Sequence, residues 1–287
     1  MKNSFKYAKI IIGTLIGIDL LVWGIILFPT HRLAGKDSAL YFLDVGQGDS
    51  SLAMLSGGIK MLIDGGRPNG MLQENLEKIL SINDRYIDLV MISHPQLDHF
   101  GGLVEILKNY KVGAVLTSNQ VAEQSAWQEL ERIVKEKKIR RIILAAGDKI
   151  KYQDSQFDIL SPRNSDIAKD INDLSLVTIL NSGGIKAFFG GDISAGKERQ
   201  LANLYDVNVD VLKVSHHGSR FSSDSVFLKE ASPEVSVIET GKNSYGHPTK
   251  EALGRLANSS SQIYRTDRDG IIKLVFNNDR LKLYSVR

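Results

Sequence analysis

Leu89-Val90-Met91-Ile92-Ser93-His94-Pro95-Gln96-Leu97-Asp98-His99-Phe100-Gly101-Gly102 changes character abruptly at its middle. Leu89–Ser93 is a short apolar run of the kind that forms a buried strand, and Pro95 with Gly101-Gly102 then prevents any simple continuation. A tight turn directly after a strand can point His94, Asp98 and His99 into one pocket, while the two glycines let the backbone pass close by. Imidazole and carboxylate donors suit zinc, manganese or iron. A bound divalent metal lowers the pKa of its water towards neutrality and so supplies a nucleophile. This chain has no cysteine, which excludes disulfides, thiolate ligands and a cysteine nucleophile together.

Outward from this turn, the apolar pattern predicts strands at Ala39–Val45, Ser51–Leu55 and Lys60–Ile63 and a helix near Met71–Ile82 before it. After it come helices at Leu103–Asn109 and Ala122–Lys137, with strands near Gly113–Thr117 and Arg141–Leu144. Leu174–Leu180 and Ile185–Phe189 flank Asn181-Ser182-Gly183-Gly184, a hairpin turn. Further helices are expected near Ala195–Leu204, Asp224–Lys229 and Lys250–Asn258. Strands are expected at Val209–Val214, Val235–Glu239, Gln262–Tyr264, Ile271–Phe276 and Leu281–Tyr284. Strand-rich halves with interspersed helices predict an α/β fold of two packed sheets covered by helices, an αββα sandwich.

Five of the six histidines, His94, His99, His216, His217 and His247, fall after expected strands or in turns with Gly or Pro; His31 does not. Asp98 and Asp192 fall in the same positions. Asp44, Asp49 and Asp64 read as indirect participants that orient ligand histidines or fix turns. Gly191-Asp192-Ile193-Ser194-Ala195-Gly196-Lys197-Glu198 nearly matches a phosphate-binding P-loop, but Glu198 stands where a Ser or Thr would hold magnesium, so an NTPase is rejected.

The turn at His94-x-x-x-Asp98-His99-Phe100-Gly101-Gly102 resembles the H-x-[HD]-x-D-H-x-G-G signature of metallo-β-lactamase-fold hydrolases. Five further stretches resemble one subgroup, the extracytoplasmic C-terminal domain of ComEC-type competence proteins of DNA uptake. They are Phe42–Ser50, Leu62–Gly66, Gly190–Asp192, Ser215–Ser219 and Tyr245–Pro248. The resemblance runs from about residue 39 to 285. It implies that His94 belongs to one metal position, Asp98 and His99 to a second, that Asp192 bridges them, and that His216 completes the second. His217 rivals His216 for that place or acts in catalysis beside Asp98, and His247 is a ligand or a proton donor to the leaving group.

Two departures matter. Gln96 stands where the family has a second His or Asp ligand, and Asn172-Asp173-Leu174-Ser175 occupies the region where many relatives supply another histidine. One Zn²⁺ or Mn²⁺ is therefore expected to bind firmly and a second only weakly. The resemblance supplies phosphorus as the electrophile, whereas spacing alone equally permits a lactam, lactone or thioester carbonyl. Lys213, Arg220, Lys242 and Arg265 are candidate phosphate contacts.

Ile10–Phe28 is an apolar run whose only charge is Asp19, long enough to span a bilayer core as a helix. Lys2, Lys6 and Lys9 precede it, and Arg32 and Lys36 follow, which favours an N-terminus in the cytoplasm. The expected organisation is an anchor and linker at 1–36 and a hydrolase domain at 37–287. It predicts a single-pass protein of a bacterial-type plasma membrane with its domain outside, or a secreted one if the segment is cleaved. Within the net charge of +3, the first 36 residues carry +4 and the remainder stands at −1. That speaks against a large sequence-independent nucleic-acid surface but leaves room for a local basic groove. The expected function is a membrane-anchored phosphodiesterase or nuclease acting on single-stranded DNA or a cell-surface phosphodiester. The rival readings are a catalytically weakened nucleic-acid-binding accessory and a hydrolase of a carbonyl substrate.

Overall fold

The computed structural model describes residues 37–277 and 280–286. The expected membrane segment Ile10–Phe28 lies outside them. Among the described residues no helix is long and apolar enough to cross a membrane.

Two β-sheets pack face to face. One has eight strands: β1 (Ser38–Phe42), β2 (Ser51–Met54), β3 (Lys60–Ile63), β4 (Tyr86–Met91), β5 (Lys111–Thr117) and β6 (Arg140–Ile143), extended past β1 by β14 (Ile271–Asn277) and β15 (Arg280–Val286). The other runs from β7 (Lys149–Tyr152) through β8 (Ser155–Ser161), β9 (Val177–Ser182), β10 (Ile185–Phe189), β11 (Val211–Lys213) and β12 (Val235–Ile238) to β13 (Gln262–Arg265). The C-terminal hairpin closes onto the N-terminal strand, with Leu40 opposite Leu274.

Alternation along the strands generates the layers, because successive side chains point to opposite faces. In β3 and β4, Met61, Ile63 and Met91 meet Phe157, Leu180 and Val211 between the sheets. The outer face of this sheet is covered by α1 (Met71–Ile79), the short α2 (Leu97–Phe100), α3 (Leu103–Asn109) and α4 (Ser125–Glu136). Leu62 and Val90 face them, packed with Leu72, Leu76, Phe100, Leu103 and Trp127. The second sheet likewise buries Phe188 and Leu212 against α5 (Ala195–Leu204), α6 (Ser225–Ala231) and α7 (Lys250–Asn258). Ser194, Asp224 and Thr249 start these three helices by accepting backbone N–H bonds. The result is the expected αββα sandwich.

The expected hairpin forms with Ser182 opposite Ile185 and Gly183-Gly184 both at positive φ, the backbone that a two-residue turn demands. The β7–β8 hairpin was not anticipated. Its period-two pattern is present in Lys149–Tyr152 and Ser155–Ser161, but its turn residue Gln153, at φ 51°, carries no glycine signal. The strand before His94 ends at Met91, two residues earlier than expected.

Candidate metal centre

The site forms where parallel strands end. Asp64 follows β3, the His94 turn follows β4, Asp192 follows β10, the His216-His217 pair follows β11, and Glu239 follows β12. Such carboxyl ends are where open α/β sheets place their ligands. The four-residue helix α2 carries Asp98 and His99. Asp49 N–H donates to the Asp98 carbonyl at 3.1 Å, and a Cβ on Gly48 would lie 2.3 Å from that same oxygen, so only glycine fits there. His216 and His217 both sit at left-handed φ, 53° and 52°, a strained conformation for non-glycine residues that recurs at functional sites. His216 N–H donating to Gly191 carbonyl ties this turn to the Asp192 loop.

Each inward ring is gripped by one nitrogen. His99 Nδ1 lies 2.9 Å from Asp64 Oδ2 and 3.7 Å from Asp49. Ser93 holds that Asp64 carboxylate through its N–H (2.8 Å) and hydroxyl (2.6 Å), and its hydroxyl also lies 3.0 Å from His94 Nδ1. His217 Nδ1 lies 2.9 Å from the Glu239 carbonyl and 3.0 Å from Asp49 Oδ1. The other nitrogens converge: His99 Nε2 and His217 Nε2 stand 3.3 and 3.5 Å from Asp192 Oδ2. His94, His99 and Asp192 form one group of close donor atoms, and Asp98, His99 and His217 another.

Electrostatics follow from burial among carboxylates. Burial lowers the basicity of His99 and His217, but Asp192 and Asp49 outweigh it, holding His99 well above the usual range and His217 at about 9. For His94 burial dominates and neighbouring His99 adds to it, so its pKa falls to about 3. Burial would raise Asp192, yet His217 and His99 hold it well below the usual carboxylate range. Burial would raise Asp49 too, and there the Lys213 ammonium prevails, leaving Asp49 at about 2.

Of the adjacent pair, His217 is buried and turned inward, whereas His216 is partly exposed and stands 3.9 Å from Asp192 at the rim. This geometry differs from the expectation that His216 completes the donor set. Asp98 is partly exposed, 3.9 Å from His217 Nε2. His247 is half-buried, its ring 5.6 Å from that of His216; burial and then His216 push its pKa down to about 4. Gln96 Nε2 donates to Asn172 Oδ1 at 2.6 Å, so the two amides that stand in the family's ligand regions engage each other. Asp44 accepts from Gly46 N–H, fixing a turn.

One expectation is corrected. Lys213 is not a surface phosphate contact: it is buried and paired with Asp49, because β11 points it into the space between the sheets. Arg265 pairs with Asp267, while Arg220 and Lys242 are exposed. Sequence reasoning passed over Ser93, Glu239 and the Lys213–Asp49 pair, all of them buried behind the histidines. Serine and glutamate after a strand carry no distinctive signal.

His94 Nε2, His99 Nε2, His217 Nε2 and Asp192 Oδ1 are buried without a hydrogen-bond partner. An orphaned buried polar atom costs ~1–3 kcal/mol, and four converging on one place fit a divalent cation, whose natural ligands are imidazole and carboxylate. The chain matches the metallo-beta-lactamase superfamily over residues 43–241. It is 30% identical to ComE operon protein 3 of Bacillus subtilis over 204 residues, 70% of this chain and 26% of that protein. It is 29% identical to Recombination protein 2 of Haemophilus influenzae, over 94% of this chain and 33% of that protein. The chain thus spans between a quarter and a third of the length of these relatives. Among solved structures, the metallo-beta-lactamase fold protein YhfI from Bacillus subtilis is similar, with a TM-score of 0.59 at 12% identity, covering 83% of this chain and 100% of that one.

Proposed function

Since the chain belongs to the metallo-β-lactamase superfamily, we propose that it is a metal-dependent phosphodiesterase acting on DNA or a related phosphodiester. The observation that carries the metal centre is the convergence of three unpartnered imidazole Nε2 atoms on Asp192. Its similarity to a recombination protein and to a competence protein of Neisseria gonorrhoeae supports a phosphodiester of DNA as substrate.

His94, His99, His217 and Asp192, with Asp98 beside them, are the residues that would hold the metal. A divalent ion there supplies Lewis acidity and acidifies a water. The chain's own groups prepare that set. Asp64, braced by Ser93, accepts a hydrogen bond from His99 Nδ1–H, and the Glu239 carbonyl with Asp49 accepts that of His217 Nδ1–H. Both rings therefore present Nε2 lone pairs, the tautomer a ligand needs. Lys213 balances Asp49 so that this carboxylate can stay charged while buried. Asp98 orients the attacking group, and His247, neutral near pH 7, takes up at its unpartnered Nδ1 the proton that the attacking water gives up and passes it to the departing oxygen. His216 stands at the rim, 3.9 Å from Asp192. With Gln96 and Asn172 bonded to each other, the set holds one metal firmly. Ile10–Phe28 would anchor the chain in the plasma membrane, with the centre on its outer side.

The test is the full chain in detergent, metal-analysed and then incubated with bis-p-nitrophenyl phosphate and with a labelled single-stranded oligonucleotide in Mn²⁺ or Zn²⁺. We expect one tightly bound metal per chain, turnover of both substrates, and loss of turnover with a chelator. No turnover of either phosphodiester overturns the activity, and two tightly bound metals overturn the single-site assignment.

A further inference from the structure

Helix α4 buries Trp127, Leu130 and Ile133 together with Val112 and Val115 of β5, the last strand but one of its sheet. The edge strand is β6, and a cavity of about 280 Å³ opens where α4, β5 and β6 meet. Trp127, Leu130, Glu131, Val134 and Lys135 line it from the helix. They recur at spacings of three and four residues, which puts them on one stripe of α4. Val115 and Thr117 line it from β5, two residues apart and so on one face of the sheet, and Arg141 lines it from β6.

The lining divides by chemistry. Val115, Trp127, Leu130 and Val134 are apolar, and the polar groups left without partners among them are donors. Arg141 uses Nε on Thr117 Oγ1 (3.1 Å) and Nη1 on Glu131 (2.9 Å), so its Nη2 has no hydrogen bond among the described residues. Lys135 is exposed and belongs to no ion pair among them. Trp127 Nε1 is buried without a hydrogen-bond partner. Glu131 is the one carboxylate of the lining, and Arg141 already engages it. An apolar wall with a few placed polar groups is the composition of small-molecule sites. Unmet donors, with two cations against one carboxylate, select a ligand whose polar end is an anionic acceptor. At ~30 Å³ each, about nine waters fill this volume, and covalently joined atoms take less room than waters, so a molecule of about ten non-hydrogen atoms fits.

We propose that this cavity is a ligand site separate from the metal centre, and that it takes a small organic acid whose apolar body lies against Trp127, Leu130 and Val134 and whose carboxylate faces Arg141 and Lys135. Withdrawal of the apolar body from water drives binding, and the charge-assisted hydrogen bonds to the head select the anion. None of the lining residues belongs to the donor set of the metal centre. The site therefore stands or falls independently of the phosphodiesterase reading. Trp127 also reports on its occupancy, because Trp23 is the only other tryptophan of the chain.

The experiment titrates the full chain, carrying Trp23→Phe and held in detergent, with phenylpropionate, phenylpropanol and phenylpropylamine, an acid, a neutral and a cationic molecule of one shape. Trp127 emission and calorimetry read the binding. Partition into detergent is common to all variants, so affinities are compared between them. The acid should bind about tenfold more tightly than the alcohol or the amine. Lys135→Gln, on an exposed and unpaired side chain, should weaken the acid about fivefold and leave the alcohol unchanged. Val134→Trp, which fills the cavity, should weaken acid and alcohol at least tenfold while the melting temperature shows the chain still folded. A chelator should leave acid binding intact. Absence of acid binding, equal affinity for the three molecules, wild-type acid affinity in either variant, or loss of acid binding on adding the chelator, which would place the acid on the metal, overturns the proposal.

Discussion

Replacing Asp64 with Asn changes one atom of a carboxylate that grips His99, and the structure sets the size of the effect. Asp64 Oδ1 accepts Ser93 N–H at 2.8 Å, while Oδ2 accepts the Ser93 hydroxyl at 2.6 Å and faces His99 Nδ1 at 2.9 Å. Asp64 has φ 57°, a conformation that asparagine also tolerates, so the backbone need not move. An amide offers only one oxygen. If that oxygen stays on Ser93 N–H, its NH₂ meets His99 Nδ1, and the ring proton must shift to Nε2, the atom aimed at the donor cluster. If it turns to His99, the NH₂ confronts Ser93 N–H, leaving a buried donor unpaired. Loss of such a ligand-orienting group costs 10- to 100-fold in metal affinity, about 1.4–2.8 kcal/mol. Chelator-competition titration of wild type and Asp64→Asn at neutral pH measures this directly. Wild-type affinity in a folded Asp64→Asn chain would refute the claim that His99 is oriented through Nδ1 to present Nε2.

Three further outcomes are expected. In the metal-free chain the His217 pKa of about 9 lies above the ordinary 6.5. Its stabilising contribution is therefore complete below about pH 6.5 and lost as pH rises through about 9, so the melting temperature should fall across that window while metal affinity rises. Lys213→Met removes the ammonium from the buried Asp49 carboxylate, leaving it only His217 and His99, and should cost about 3–5 kcal/mol in denaturant unfolding, partly restored by adding Asp49→Asn. Burial and then Asp49 raise Glu239 to about 8, so it is protonated at neutral pH and loses stabilisation as pH rises through that value. Since the stabilisation is lost between the ordinary 4.5 and about 8, Glu239→Gln, which copies the protonated form bonded to Ser51 and has no proton to lose, should melt increasingly above wild type as pH rises through that window.

The turn at His94–Gly102, the αββα layering and most strands were legible because they rest on local patterns: alternation, helical periodicity, and glycines where the chain turns back. The β7–β8 hairpin shows the limit, since its turn lacks glycine. His94, Asp98, His99 and Asp192 were legible as candidate donors because imidazole and carboxylate at strand ends have few other uses.

Adjacent His216 and His217 were indistinguishable in sequence. Which ring faces inward depends on two consecutive left-handed residues and on the Glu239 carbonyl, contributed by a neighbouring strand. Lys213 looked like a free cation near the motifs, and only its position inside the sandwich, against Asp49, makes it a buried counter-charge. The pairing of Gln96 with Asn172 joins residues 76 positions apart. Sequence by itself determined which chemical groups are present and at which strand ends they stand. The tertiary structure alone decided which atoms of those groups face one another, because rotation of a ring and burial of a charge are set by contacts between segments far apart in the chain.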